Sequence, residues 1–380
     1  MLIGIDASRS TVGQRTGTEN YSLYLLRELL ALNTGHRFRL YFNQAPPPGL
    51  FPETVDHRVI PFPRLWTHLR LSWEMLNHAP DLLFVPSHVL PLNRPRRSVV
   101  TVHDLGYLYY PEAHTLAQNV YLRWSTGFNA RAASHVLADS EATRRDLVNR
   151  HQIPGDKIRV VYPGRDETLA PIGDPAILAD VQARHGLTES YLLYVGTLHP
   201  RKNLVRLVQA FSLLVQTPAS DAHSPIPNLQ LVLAGQKGWL YDEILTQIHR
   251  LGLTKRVQLA GYVPEADLAA LLSGARAFVY PSLYEGFGLP VLEAMACSTP
   301  VICSNVSSLP EVAGNAAVQV DPMDVEALAQ ALYDVLSDDG LRRQLIERGH
   351  QQVRRFSWRR CAEGTLQVFD EAAKTSGDSP

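Results

Sequence analysis

A chain of 380 residues is longer than one hydrophobic core usually organises, so two domains of roughly 150 to 200 residues are expected and a single small binding module is excluded. With 45% hydrophobic and 19% charged residues the composition is globular, which excludes a disordered or collagenous chain. Lys and Arg total 36 against 37 Asp and Glu, so no overall basic field holds the chain on nucleic acid, and any bound anion must be gripped locally.

Short runs rich in Val, Ile, Leu and Tyr, separated by segments of helix length, argue for parallel βαβ units and an α/β fold class. The first run, Leu2 to Ala7, meets Asp6 before an apolar region of signal-peptide length can form, so no secretion signal is read. Val12-Gly-Gln-Arg-Thr-Gly-Thr-Glu-Asn20 follows as a loop containing Gly17 and Thr18, ahead of a helix with Tyr21, Tyr24, Leu25 and Leu29. Further strands are expected at Phe38 to Phe42, Leu82 to Pro86, Val99 to His103 and Val136 to Asp139. Arg64-Leu-Trp-Thr-His-Leu-Arg-Leu-Ser-Trp-Glu-Met-Leu76 puts Trp66, Leu69, Trp73 and Leu76 on one helical face near Arg64 and Arg70. Such a face is most often core; otherwise it suits a lipid-linked acceptor or a membrane surface. No run reaches about 18 consecutive apolar residues, so no bilayer-spanning helix is read and only peripheral membrane contact stays open.

The segment from Tyr162 to Gly186 mixes Pro, Gly and acids and reads as a hinge with the lead-in to a second domain. Strands are then expected at Tyr191 to Val195, Leu229 to Ala234, Val257 to Ala260, Ala277 to Tyr280, Val301 to Ser304 and Ala317 to Val320, with a Pro- and Ser-rich surface loop at Thr217 to Asn228. Cys297, Cys303 and Cys361 are odd in number and lack metal-ligand spacing, so neither a disulfide framework nor a structural zinc is expected, and a reducing cytoplasm fits. A last helix follows Trp358, before a polar end at Lys374 to Pro380.

Neither Gly-x-Gly-x-x-Gly after a strand nor a P-loop sequence is present, which argues against a dehydrogenase or a P-loop NTPase. No two aspartates stand two apart, so an Asp-x-Asp metal site is absent as well. In Tyr191-Leu-Leu-Tyr-Val-Gly-Thr-Leu-His-Pro-Arg-Lys-Asn203 a strand and a turn lead to Arg201 and Lys202, expected in the first turn of a helix where the dipole disfavours cations. The pair is either a solvated surface feature or half of an anion site, where backbone N–H groups and cations converge on a phosphate. In Val279-Tyr-Pro-Ser-Leu-Tyr-Glu-Gly-Phe-Gly-Leu-Pro-Val-Leu-Glu-Ala-Met-Ala296 a strand ends near Tyr280, and Pro290 starts a helix bearing Glu293. Loops at the carboxyl ends of parallel strands line the ligand crevice of open α/β sheets, which suits Glu285 and Glu293. The plain alternative makes Glu293 a dipole-stabilising acid of the first turn and Gly286 and Gly288 simple turn-formers.

Together these two segments resemble family 4 of the retaining nucleotide-sugar glycosyltransferases, and the resemblance extends over nearly the whole chain through Thr101-Val-His-Asp-Leu-Gly-Tyr-Leu-Tyr-Tyr-Pro-Glu112 and Ala138-Asp-Ser-Glu-Ala-Thr-Arg-Arg-Asp146. It implies the GT-B architecture, two Rossmann-like parallel-sheet domains facing across a cleft. An acceptor-side domain would span 1–163, a hinge and lead-in 164–186, and a nucleotide-sugar domain 187–355, with the helix and tail of 356–380 packing back on the first domain. The resemblance implies that Arg201 and Lys202 hold the donor diphosphate, that Glu285 and the N–H groups of Gly286, Phe287 and Gly288 meet the sugar hydroxyls, and that Glu293 accepts from the ribose diol. His103 matches the family histidine near the anomeric carbon, and Gly17 and Thr18 match its flexible glycine loop. Many members carry an arginine where Thr197 stands, a charge that Arg201 would replace. Val263 and Glu265 lie where members seat the base; Glu265 is either the N-terminal acid of a helix at Ala266 to Leu272 or a carboxylate that accepts both adjacent N–H donors of guanine, which would favour GDP over UDP.

The reading is therefore a metal-independent, retaining mannosyltransferase-like enzyme of polysaccharide biosynthesis, using GDP-mannose or secondarily a UDP-hexose. The nucleotide sugar is a substrate and no cofactor is implied; the acceptor is a glycan or lipid-linked hydroxyl. The location would be cytoplasmic, with the inner face of the membrane as its peripheral site. A glycoside hydrolase would share the two carboxylates without needing the cation pair, and a two-domain sugar-binding protein would share the bilobal form.

Overall fold

The computed structural model describes residues 1–12, 17–62, 65–111, 115–216 and 228–374. Positions 13–16 of the glycine loop, Arg64, Glu112, 217–227 of the Pro- and Ser-rich loop and the tail from 375 lie outside the described residues. The chain divides into two compact units, Met1–Gly164 with Phe356–Pro380, and Arg165–Arg355.

Unit 1 runs β1 (Leu2–Asp6), α1 (Gly17–Ala31), β2 (Arg37–Phe42), β3 (Asp56–Val59), α2 (Ser72–His78), β4 (Leu82–Val85), β5 (Ser98–Val102), α3 (Leu116–Ala132), β6 (His135–Ala138), α4 (Glu141–His151) and β7 (Ile158–Val160). Unit 2 runs α5 (Pro175–Arg184), β8 (Tyr191–Val195), α6 (Leu204–Gln216), β9 (Gln230–Ala234), α7 (Asp242–Arg250), β10 (Val257–Gly261), α8 (Glu265–Gly274), β11 (Ala277–Tyr280), α9 (Leu289–Ala296), β12 (Val301–Ser304), α10 (Leu309–Ala313), β13 (Ala317–Val320), α11 (Val325–Ser337) and α12 (Asp339–Val353). The last helix, α13 (Trp358–Lys374), belongs to unit 1.

The strands pair in parallel throughout, in the order β3-β2-β1-β4-β5-β6-β7 in unit 1 and β10-β9-β8-β11-β12-β13 in unit 2. Parallel sheets are covered by helices on both faces, so central strands such as β4, β5, β6 and β11 are buried at every position, and apart from His135 at the start of β6 their residues are apolar or small. Two edge strands, β3 and β7, were not expected. Asp56-His-Arg-Val59 is mostly exposed and carries no apolar run, and Ile158-Arg-Val160 is only three residues long. On one face of the unit 1 sheet, α1 and α13 share a core with Ile3, Ile5, Phe84 and Phe369. The Trp358 ring stacks on Tyr24 with centroids 5.6 Å apart. Gly164 is needed where this helix begins, because a Cβ there would stand 2.2 Å from the Trp358 backbone nitrogen.

The segment expected as a helix with Trp66, Leu69, Trp73 and Leu76 on one face departs from that pattern. Thr67–Leu71 forms a π-helical turn, whose wider spacing rotates the following residues, so Trp66, Leu71 and Met75 face the core while Leu69, Trp73 and Leu76 are exposed. In both sheets strand order reverses once, between β1 and β4 and between β8 and β11. Loops leaving the carboxyl ends of the strands at that reversal form the crevice in which open α/β sheets bind ligands.

Candidate active site

In unit 2 the loops after β8 and β11 flank the reversal, and they carry the cation pair and Glu285. Arg201 and Lys202 do not open a helix, as the spacing suggested. They sit in a separate 3-10 turn, Pro200–Lys202, that ends at Asn203 in the left-handed conformation (φ +61°) before α6 begins at Leu204. The His199 Nδ1 caps this turn by accepting from the Arg201 N–H at 3.2 Å. Buried Asn203 fixes its exit, donating from Nδ2 to the carbonyls of Pro281 (3.1 Å) and Pro322 (2.6 Å). The cations are thus mounted on a turn clamped to the end of β11 and not on the frayed start of a helix.

Lys202 Nζ donates to Glu285 Oε1 at 2.5 Å and to the Tyr280 hydroxyl at 2.9 Å. Arg201 donates to the Tyr284 carbonyl at 3.0 Å, with its guanidinium 3.7 Å from Glu285 Oε2. Burial would raise the Glu285 pKa, but Lys202 and Arg201 overcome it and hold the carboxyl down at about 2. The loop bearing Glu285 is stapled from the end of β12. Ser307 Oγ accepts from the Glu285 N–H at 2.9 Å, and the buried Ser308 hydroxyl reaches the carbonyls of Glu285 (2.9 Å) and Phe287 (2.7 Å). Gly288 then caps α9 at φ +112°, where a Cβ would stand 2.7 Å from Leu309. Sequence reasoning missed Tyr280, Asn203, Ser307 and Ser308. Asn203 directly after the cation pair was the one local signal, since Asn tolerates the left-handed region.

Pro290 is the second residue of α9, and Glu293 lies beyond its first turn. That removes the dipole explanation for this half-buried acid. Burial, with Asp166 and Glu265 nearby, pushes Glu293 up to about 7, so near neutral pH it can meet a diol either as a carboxylate that only accepts or as a carboxyl that also donates. Glu265 opens α8 as an exposed first-turn acid, with half-buried Val263 two residues before it. Its charge is among those that raise the Glu293 pKa. Thr197 is exposed, and its carbonyl accepts from the Tyr194 hydroxyl at 3.1 Å.

The other sequence-derived residues belong to unit 1. Gly17 and Thr18 are the first two residues of α1 and not part of a loop. His103 follows β5, next to the reversal. Its Nδ1 lies 2.7 Å from Asp139 Oδ2 and its Nε2 3.1 Å from the Pro86 carbonyl, with the Tyr21 ring packed edge-on at 4.7 Å. Both ring nitrogens face acceptors, so the doubly protonated ring is the form that satisfies them. Burial works against that charge, yet the Asp139 carboxylate outweighs it and the His103 pKa is raised. Neighbouring His88 is driven the other way, down to about 4, by burial and by the His103 charge. Among the described residues no group of three or more His, Cys, Asp or Glu is arranged to hold a metal, and no helix is long and apolar enough to cross a membrane.

Residues 15–169 match the model described as Glycosyltransferase Family 4, and 179–352 that of Glycosyl transferases group 1. The O-antigen chain mannosyltransferase B of Escherichia coli is 35% identical over 307 residues, covering 80% of this chain and 78% of that protein. Among solved structures, the sucrose-phosphate synthase of Thermosynechococcus elongatus superposes with a TM-score of 0.72 at 23% identity, covering 98% of this chain and 99% of its own. Anabaena HepE in complex with UDP and glucose gives 0.73 at 18% identity, covering 97% and 99%. At these identities the solved structures report the fold alone.

Proposed function

From the chain's membership of the family 4, group 1 glycosyltransferases of GT-B fold, we propose a retaining, metal-independent hexosyltransferase that moves mannose from GDP-mannose to a hydroxyl of a glycan or lipid-linked acceptor. The observation that carries the reading is the clamped turn of Arg201 and Lys202 against Glu285 at the sheet reversal of unit 2. The transition state of sugar transfer pairs an oxocarbenium-like sugar with a departing diphosphate. Two cations held in place before the bond breaks stabilise charge that grows only then, which is differential binding and asks nothing of a metal. Glu285 keeps both cations oriented, and its fixed carboxylate with the loop N–H groups of Gly286 to Gly288 presents acceptors and donors to the sugar hydroxyls. Attack from the face of departure lets the leaving phosphate take the acceptor proton, so no protein nucleophile is assigned. Mannose as the sugar is supported by the activity named for the E. coli relative.

Donor choice follows from Glu265 at the start of α8. If it accepts from both adjacent guanine N–H donors, GDP binds more tightly than UDP by roughly 1.5 to 3 kcal/mol, the range of hydrogen bonds to a charged group. Glu265→Gln is expected to shrink that gap, because an amide offers one acceptor oxygen and a competing donor. Calorimetric titration of GDP, UDP, ADP and dTDP into both proteins measures it. Equal affinities in the parent, or a gap the substitution leaves intact, would remove Glu265 from the site and favour a UDP-hexose.

A further inference from the structure

The loop after β9 is not an ordinary surface turn. Beyond the strand end it continues alongside the segment after β8. The Leu198 N–H donates to the Gln236 carbonyl at 2.9 Å, the Gly238 N–H donates back to the Leu198 carbonyl at 2.9 Å, and Leu198 and Lys237 form a parallel bridge. Gly238 is required for this approach, since a Cβ there would stand 2.7 Å from the Leu198 carbonyl oxygen and 2.9 Å from Thr197 Cγ2. Lys237 Nζ lies over the Tyr241 ring, 4.9 Å from its centroid, which ties the two ends of the loop together. Between them Leu240 is left-handed at φ +59°, an outlier for a bulky residue.

This clamped loop leaves Trp239 63% exposed, with exposed Leu240 after it. Its partner Leu198 stands just before the Pro200–Lys202 turn, so the loop is bonded to the segment that mounts the cations. Right-handed crossovers put helices reached by opposite strand steps on opposite faces of a parallel sheet. The steps from β8 through β9 to β10 run one way, through α6 and α7, and those from β10 through β11 to β12 run the other, through α8 and α9. The packing agrees, α6 lying against α7 and α8 against α9. Glu265 and Glu293 belong to α8 and α9, and the Glu285 loop leads into α9, so the residues read as meeting base, ribose and donor sugar go with one face. Trp239, just ahead of α7, goes with the other.

We propose that Trp239 is a stacking platform for a pyranose ring of the acceptor glycan, on the flank of the cation turn away from the nucleoside. The C–H groups on one face of a pyranose carry partial positive charge and meet the negative face of an indole, while its rim of hydroxyls needs neutral hydrogen-bonding partners. Thr197 and Gln236, exposed on the two paired segments, supply such partners. Trp239 and Leu240 alone fall well short of the roughly 800 Å² per partner that a stable protein interface buries, which argues for a small ring as the occupant. The inference rests on the glycosyltransferase reading and adds an acceptor contact on the unit that carries the donor residues.

The experiment is a tryptophan-fluorescence titration of the full chain with α-mannotetraose, and with maltotetraose as a second probe, in the presence and absence of saturating GDP. A saturable change with at least one saccharide is expected in the parent and is lost in Trp239→Phe and Trp239→Ala. In transfer assays the acceptor KM should rise about tenfold in Trp239→Ala and about twofold in Trp239→Phe, which keeps a ring, with kcat changed much less. GDP affinity should stay at the parent value, which reports an intact fold and separates acceptor stacking from nucleotide stacking. Saccharide binding is read without transfer, so its failure is distinguishable from failure of the glycosyltransferase reading. No response to either saccharide would overturn the proposal, as would an unchanged acceptor KM in Trp239→Ala or a GDP affinity that falls in its place.

Discussion

Replacing Lys202 by alanine is expected to slow transfer by roughly 2 to 4 kcal/mol of transition-state stabilisation, the cost of losing one preorganised electrostatic donor, while nucleoside binding changes much less. The same substitution has a structural consequence that must be separated from the catalytic one. Lys202 neutralises the buried Glu285 carboxylate at 2.5 Å, so Lys202→Ala leaves that charge to Arg201, 3.7 Å away, and the roughly 3 to 5 kcal/mol typical of breaking a buried pair is the upper limit of the cost. The double variant Lys202→Ala with Glu285→Gln removes that charge. It should recover melting temperature without recovering turnover. A pH signature accompanies it: a carboxyl held at about 2 contributes stability that is present above the unfolded value near 4.5 and is lost as pH falls toward 2. Parent protein should show that acid loss, and the Lys202 variant should show less of it. Arg201→Ala tests whether Arg201 supplies the charge missing at Thr197, and near-native kinetics there would show that it does not.

Asp139→Asn is expected to lower turnover at neutral pH by roughly 1.5 to 3 kcal/mol, the worth of a hydrogen bond to a charged partner, by releasing the proton that Asp139 keeps on His103. A group whose folded pKa is raised contributes stability and charge below its unfolded value near 6.5 and loses both as pH climbs through the folded value. The alkaline limb of the rate profile should therefore move to lower pH in the variant. Ring-proton NMR should show the His103 midpoint falling with it. Asp104, whose charge also faces His103, is kept in the variant, and His88 loses only the His103 charge while burial, the larger cause, still holds its pKa down, so neither group produces that shift. A lower rate with both midpoints unmoved would mean that Asp139 only packs the site.

Much of this was legible from residue order, and the exceptions have physical causes. The central strands announced themselves because burial on both faces demands continuous apolar runs, whereas β3 and β7 at the sheet edge needed none. Arg201, Lys202 and Glu285 were legible as residues, yet their mutual contact was not, since 83 positions separate Lys202 from Glu285 and only the β8 to β11 pairing closes that distance. Ser307 and Ser308 had no signal, because short polar residues after a strand look like any turn. The Trp66 to Leu76 segment was misread because an α-helical period was applied across a π-helical turn.

The most direct test is the stereochemistry and metal requirement of transfer itself. The parent protein would be given α-configured GDP-mannose and a mannose-terminated oligosaccharide in excess EDTA, and the anomeric configuration of the new linkage read by NMR. An α-linkage formed at an undiminished rate is the expected result. A β-linkage would contradict retention, and activity abolished by EDTA and restored only by a divalent cation would contradict the role given to Arg201 and Lys202.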